Sequence, residues 1–231
     1  RWKCERLDCI VREAEVLSRI RAIFEAGSND SAVIVGNGDD GAVLALENQT
    51  VLSTDMAVEG IHFRREWSSA TDIGRKITAA NLADICAMGG WPTYLVVSVA
   101  FPSDFLESLE DLASGIALEA RKVGAKVVGG DLSRGENLVI SITALGTTER
   151  SIRRSSAKVG EYVVISHLPG LSAAGLSLLK NRNNHESAEA IKAIAQHRAP
   201  EVDYSRYRDS FEFLSSATDI SDGLIVDVSH I

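Results

Sequence analysis

The chain has 231 residues, 45% hydrophobic and 24% charged, a mixture able to bury a core in one large domain, or in one domain plus part of another. Its 24 Lys and Arg against 32 Asp and Glu leave a net charge of −8, which argues against sequence-independent nucleic-acid binding, since that draws on clustered basic charge. No apolar run approaches the ~20 residues of a membrane-spanning helix, so neither nucleic acid nor membrane is an expected partner. Arg1 to Ile10 are charged and carry no leader-like apolar stretch, and a cytoplasmic location is expected. Cys4, Cys9 and Cys86 show no CxxC or paired Cys/His spacing, so reduced thiols are expected rather than a disulfide or zinc.

In chain order, residues 11–26 place Val16, Ile20, Ile23 and Phe24 near one helical face, with Gly27 as the stop. Three short strands are predicted next, 32–35, 42–46 and 50–54. GNGDDG joins the first two, and ENQ is read as a hairpin connection to the third. Residues 72–88 read as a helix closed by Gly89-Gly90. YLVVSVA, 94–100, reads as a buried strand, 105–123 as a second long helix, and 125–128 and 138–145 as strands flanking Gly129-Gly130-Asp131. The polar stretch after Gly146 reads as a connector. A strand at 162–166 and helices at 172–180 and 188–197 follow, and LIVDVSHI opens a fresh helical pattern in which the chain stops, so a C-terminal part is expected to be missing. The strands 50–54, 94–100 and 138–145 are apolar over most of their length, as when both faces of a sheet are covered, one by helices and the other by a second protomer.

Acidic residues recur in these turns. Asp39 and Asp40 follow Gly38, Asp55 follows VLST, Asp131 follows two glycines, and Asp219 and Asp222 lie in TDISDG. Read at strand ends beside small residues, such carboxylates project into a cleft where backbone can approach a phosphate. Each alone is also ordinary turn chemistry. Asp84 shares a helical stripe with Ile73, Ile77 and Ala80, and a carboxylate on an apolar face requires either a basic partner or a metal ion. An acidic protein that handles polyphosphate needs cations held by carboxylates.

GNGDDGAVL, VLSTDMAVEGIHF, ITAANLADICAMGG, VVGGDLSRG, RSSAKVGE and DISDGL occur in the order and approximate spacing of the thiamine-monophosphate kinases, which the chain resembles from about Asn29 to Ile231. These enzymes belong to the PurM-like superfamily with aminoimidazole ribonucleotide synthetase. The resemblance implies an α/β (α+β) fold. Residues 1–28 would be a helical segment, 29–149 a PurM-like ATP- and Mg²⁺-binding domain that dimerises through a mixed sheet, and 150–231 an incomplete second α/β domain. It implies ATP and thiamine monophosphate as substrates, several Mg²⁺ ions and a homodimer. Carried over motif by motif, Asp40, Ser53, Thr54, Asp55, Asp84, Asp131, Asp219 and Asp222 are implied as Mg²⁺ ligands. Gly130, Asp131, Arg154 and Ser221 are implied as ATP contacts, and His62 as a contact to the acceptor. His62 also reads as a hinge histidine, and Arg154 as a solvated linker charge. The resemblance further places a Gly-Gly-Glu-Asp motif and a thiamine-packing aromatic beyond Ile231. Cys4 and Cys9 lie in a stretch that it does not cover.

No Walker-A sequence and no protein-kinase HRD or DFG set occurs. Positioning and charge neutralisation by a metal-carboxylate cage is therefore the expected mechanism, with direct in-line transfer and no side-chain nucleophile. Two alternatives stand beside it: another PurM-like ATP-dependent enzyme, and a non-catalytic nucleotide-binding fragment. Selenophosphate synthetase would need a reactive Cys beside a Lys near the N-terminus. The hydrogenase-maturation dehydratase differs at AANLADICAMGG.

Overall fold

The computed structural model describes residues 7–26, 30–35, 43–46, 48–181 and 186–231. GNGDDG, with Asp39 and Asp40, lies outside them. Helix α1 (Leu7–Glu25) precedes two short antiparallel strands, β1 (Val33–Val35) and β2 (Val43–Leu44). Four longer strands make the main sheet: β3 (Gln49–Val58), β4 (Trp91–Phe101), β5 (Lys126–Arg134) and β6 (Val139–Thr148), in the order β3-β6-β4-β5. β6 runs antiparallel to both β3 and β4, while β4 and β5 are parallel. A parallel pair needs a crossover, and α3 (Leu109–Arg121) supplies it after a 3₁₀ segment, Ser103–Ser108. The sheet is thus mixed, as the family resemblance implies. The expected β2–β3 hairpin is absent among the described residues, since β2 pairs with β1 while β3 pairs with β6.

One face of the sheet carries the core. Ile140, Ile142 and Ala144 of β6, with Leu95, Val97 and Val99 of β4, are buried against α2 (Ala70–Ala87) and α3. α2 contributes Ile73, Ile77, Leu82 and Ile85, and α3 contributes Leu109, Leu112 and Ile116. Each such side chain contributes about 1.5–3 kcal/mol by leaving water. Ser69 starts α2 with a capping box: its hydroxyl accepts from the Asp72 amide, and the Asp72 carboxylate accepts from the Ser69 amide. α2 and α3 cross backbone to backbone. A Cβ on Gly115 would meet the Thr71 carbonyl, and one on Gly74 would meet the Leu112 carbonyl. On the opposite sheet face, Leu52 and Met56 of β3 are 65% and 59% exposed.

After β6 the chain forms α4 (Leu171–Asn181), α5 (Ala188–Arg198), α6 (Tyr204–Ser210) and the short α7 (Leu224–Val228). An ionic clasp ties this part to the sheet domain. Buried Glu119 of α3 accepts from Arg75 (3.3 Å), Lys122 (3.0 Å) and the Tyr204 hydroxyl (2.9 Å). Arg75 and Lys122 also bind Glu201, at 2.6 and 3.0 Å. Cys86 at the end of α2 is a buried free thiol within the core beneath α6, which contributes Tyr204 and packs Tyr207 against it. Residues 162–166, expected as a strand, are coil, with Tyr162, Val163 and Val164 largely exposed. Among the described residues they find no strand to pair with, and a β-branched run without a ladder partner has nothing to hold it extended.

Candidate active site

The sheet pairing decides which side chains can meet. Asp55 lies within β3, opposite Ile142, and not after the strand as its sequence suggests. Ser53 and Asp55, two residues apart, share the face that looks toward α2. The Ser53 hydroxyl donates to Asp84 Oδ2 at 2.7 Å, so the carboxylate of α2 is brought to the rim of β3. Asp219, in the coil before α7, joins them, and Arg154 reaches its Oδ1 at 3.8 Å. Arg154 is positioned by the Ser216 hydroxyl, which donates to the carbonyls of Arg153 and Arg154.

The charges in this cluster are unbalanced. Burial first, then Asp219, raises the Asp55 carboxyl above its ordinary range, although Asp55 keeps solvent contact. Asp84 is raised by burial and by Asp55, against the Ser53 hydrogen bond and Arg154. Asp219 is raised by burial and by Asp84, against Ser221 and Arg154. Three carboxylates thus raise one another with one guanidinium among them. Hard oxygen donors in excess of positive charge suit a divalent cation such as Mg²⁺. Two buried oxygens in the same neighbourhood of sequence, Asn81 Oδ1 and Thr218 Oγ1, have no hydrogen-bond partner among the described residues. The side chains as placed do not close on one point: among the described residues, no three His, Cys, Asp or Glu groups converge tightly enough to hold an ion. The donor chemistry fits Mg²⁺, while the closed coordination shell is not formed by these residues alone.

Other expected residues lie elsewhere. The Thr54 side chain is on the far sheet face, where its hydroxyl meets Thr143 Oγ1 at 3.1 Å and the Ile142 carbonyl at 3.2 Å, so it does not join Ser53, Asp55 and Asp84. Asp131 is inside β5, opposite Ser98, because β5 continues through the two glycines. That register also puts it on the far face, at the opposite edge of the sheet from β3. Gly130 packs where a Cβ would strike the Val97 carbonyl. Asp40 is outside the described residues. His62, exposed on the turn after β3, has its ring within electrostatic reach of Asp55 and accepts at Nδ1 from the Val58 amide, at 3.0 Å. Ser221 and Asp222 are exposed on the turn that leads into α7.

Asp227 escaped the sequence reading. Its Oδ2 accepts from the amides of Ser221, Asp222 and Gly223, at 3.0, 3.1 and 3.0 Å, and its side chain is buried. It folds the 221–223 turn around itself and so fixes how Asp219, Ser221 and Asp222 are presented. The signal was a carboxylate set within the apolar run LIVDV.

This sheet with an acid cluster on its helical side defines a class: residues 38–148 match the family model for the AIR synthase related protein, N-terminal domain. The chain belongs to the thiamine-monophosphate kinase family, being 36% identical over 221 residues to the Bacillus subtilis thiamine-monophosphate kinase, with 92% of this chain and 68% of that protein covered. The crystal structure of the Stenotrophomonas maltophilia thiamine-monophosphate kinase superposes with a TM-score of 0.79 at 29% identity, covering 92% of this chain and 69% of that one. A structure of AaThiL complexed with AMPPCP and TMP superposes at 0.76 with 28% identity, covering 99% and 72%. The chain spans about two-thirds of the length of such relatives, 61% for the Mycobacterium tuberculosis kinase.

Proposed function

We propose that the chain carries out ATP-dependent phosphorylation of thiamine monophosphate to thiamine diphosphate, by direct in-line transfer at a carboxylate site that takes several Mg²⁺ ions. The observation that carries this reading is the meeting of Asp55, Asp84 and Asp219, from three separate elements, around one arginine. The family membership and the AMPPCP and TMP held by AaThiL support the choice of substrates. Bound Mg²⁺ would neutralise the triphosphate and draw charge from the oxygen that leaves with ADP. Asp55, Asp84 and Asp219, with Ser53 holding Asp84, would supply the oxygen donors, joined by Asp40. Arg154 would add a guanidinium for the polyphosphate, Gly130 would let the nucleotide approach the backbone, and Ser221 and Asp222 would border it from the turn held by Asp227. The acceptor oxygen is already anionic at neutral pH. It attacks the γ-phosphorus as the bond to the bridging oxygen breaks, so no side-chain base or phosphoenzyme is needed. His62, beside Asp55, would face the acceptor.

The position of Asp131 supports a homodimer. Across three strand spacings it stands about 14 Å from β3, on the other face. If Asp131 also binds the metal or the nucleotide, it does so from the exposed face of Leu52 and Met56, the face that a second protomer would cover. A domain boundary near residue 150 belongs to the same reading.

A coupled ADP-release assay with thiamine monophosphate, on this chain and on one extended at its C-terminus, tests the proposal. Mg²⁺- and acceptor-dependent ADP release is expected, and Asp55→Asn should abolish it. ADP release indifferent to thiamine monophosphate in the extended chain would overturn the reading.

A further inference from the structure

Lys76 lies on α2 two turns before Asp84, partly buried, and the functional reading leaves it without a role. Its Nζ donates to the His62 carbonyl at 3.2 Å. Among the described residues, no carboxylate lies within ion-pair distance of it; the ion pairs of its helix go instead to Arg75, with Glu119 and Glu201. An ammonium has three donors, so among the described residues two remain unspent. Burial alone pulls its pKa below the ordinary lysine value, the mark of a cation removed from water without a counter-ion. Among the described residues, the neighbouring groups add no negative charge. Burial, followed by Lys76 itself, pushes His197 of α5 down to about 4, so that imidazole is neutral at pH 7. His62 accepts the Val58 amide at Nδ1, which leaves the ring proton on Nε2 as a further free donor on the same turn.

We propose that Lys76 is the cation that seats the acceptor's phosphate, with His62 Nε2 as its companion donor. The proposal rests on the phosphotransfer reading and deepens it. Two phosphate groups that react must come within bonding distance, and two polyanions brought that close need positive charge on both sides. The acceptor's dianion, approaching past Asp55, needs a positive charge of its own. Lys76 Nζ is placed on the His62 carbonyl, whereas Arg154 is engaged with Asp219. A lysine kept desolvated and unpaired costs stability in the free protein, and an arriving phosphate releases that cost.

The test compares wild type, Lys76→Met and Lys76→Arg in the C-terminally extended chain, with calorimetric binding of thiamine monophosphate, Mg²⁺·AMPPCP and inorganic phosphate. Lys76→Met keeps the apolar stem and should weaken thiamine monophosphate roughly ten- to a hundred-fold, the scale of a lost charge-assisted hydrogen bond, while AMPPCP affinity changes less than about twofold. Lys76→Arg should restore part of the loss. Because the lost charge is an unpaired one, Lys76→Met should melt no lower than wild type, whereas a merely structural lysine would lower the melting point. Undiminished thiamine monophosphate binding in Lys76→Met, or equal weakening of AMPPCP, overturns the proposal. Inorganic phosphate separates it from the wider reading. Phosphate binding lost in Lys76→Met, with no thiamine monophosphate binding in wild type, would keep the anion seat and sink the acceptor. Phosphate binding retained in Lys76→Met sinks the seat.

Discussion

At the scale of single residues, the site is a set of charges at odds with one another. Asp55, Asp84 and Asp219 raise each other's proton affinity, so the metal-free fold holds protons that the unfolded chain would release. A carboxyl with a raised folded value makes the metal-free protein less stable as pH climbs from the ordinary carboxylate range, about 4, through that raised value. Asp84→Asn should therefore melt at or above wild type without metal at pH 7, yet lose Mg²⁺-dependent nucleotide binding; calorimetry and nucleotide titration check both. A lower metal-free melting point would mean that Asp84 is held by a favourable partner rather than by strain. Asp227 is held instead by three backbone amides. Asp227→Ala leaves them unsatisfied and should destabilise by roughly 2–3 kcal/mol, while Asp227→Asn, which keeps one acceptor oxygen, should recover part of this by denaturant titration.

At the scale of elements, the α2–α3 crossing and the ionic clasp position the site. Gly115→Ala would force a Cβ into the Thr71 carbonyl and push the helices apart, tilting Asp84 away from Ser53. Glu119→Gln leaves Arg75 and Lys122 without their buried counter-charge. It should cost about 3 kcal/mol, at the low end for a broken buried pair because both cations keep some solvent contact. Chemical denaturation reads it directly. Most of these elements were legible from periodicity: α2, α4 and α5 lie within two residues of their expected ends. The strands were harder. β3 and β5 run on through Asp55 and through Gly129-Gly130-Asp131 because β6 and β4 offer ladder partners there, which no local propensity reveals. That error mattered for the site, since an acid within a strand has its face set by register. Thr54 and Asp131 look toward the face away from Asp84 for this reason alone. The acid motifs themselves were legible, and Asp227 left a trace in LIVDV, whereas Lys76 is recognisable only by what surrounds it in the fold.

At the scale of the whole molecule, the exposed apolar face and the far-side Asp131 make one prediction. Leu52→Glu with Met56→Glu should yield a monomer by light scattering, inactive even in a C-terminally extended chain. Complementation probes the geometry further. If Asp131 of one protomer serves the site of the other, inactive Asp55→Asn and Asp131→Asn proteins should on mixing regain up to roughly a quarter of wild-type turnover, because half of the dimers would carry one intact composite site of two. No recovery would place both acids in the cage of a single protomer.

Cys86 makes the attachment of the C-terminal helices measurable in time. Burial pushes its thiol up to about 12, and Tyr204 and Tyr207 of α6 lie over it. While α6 is seated, a thiol reagent finds neither access nor thiolate. In a chain with Cys4 and Cys9 changed to serine, alkylation would count only the moments when α6 lifts from α2. Its rate relative to that of an unfolded thiol gives the free energy of that opening. Glu119→Gln should quicken the labelling, and substrates bound between Asp84 and Asp219 should slow it. The same buried sulfur would then report both how firmly the two parts of the chain are joined and whether ligand holds them together.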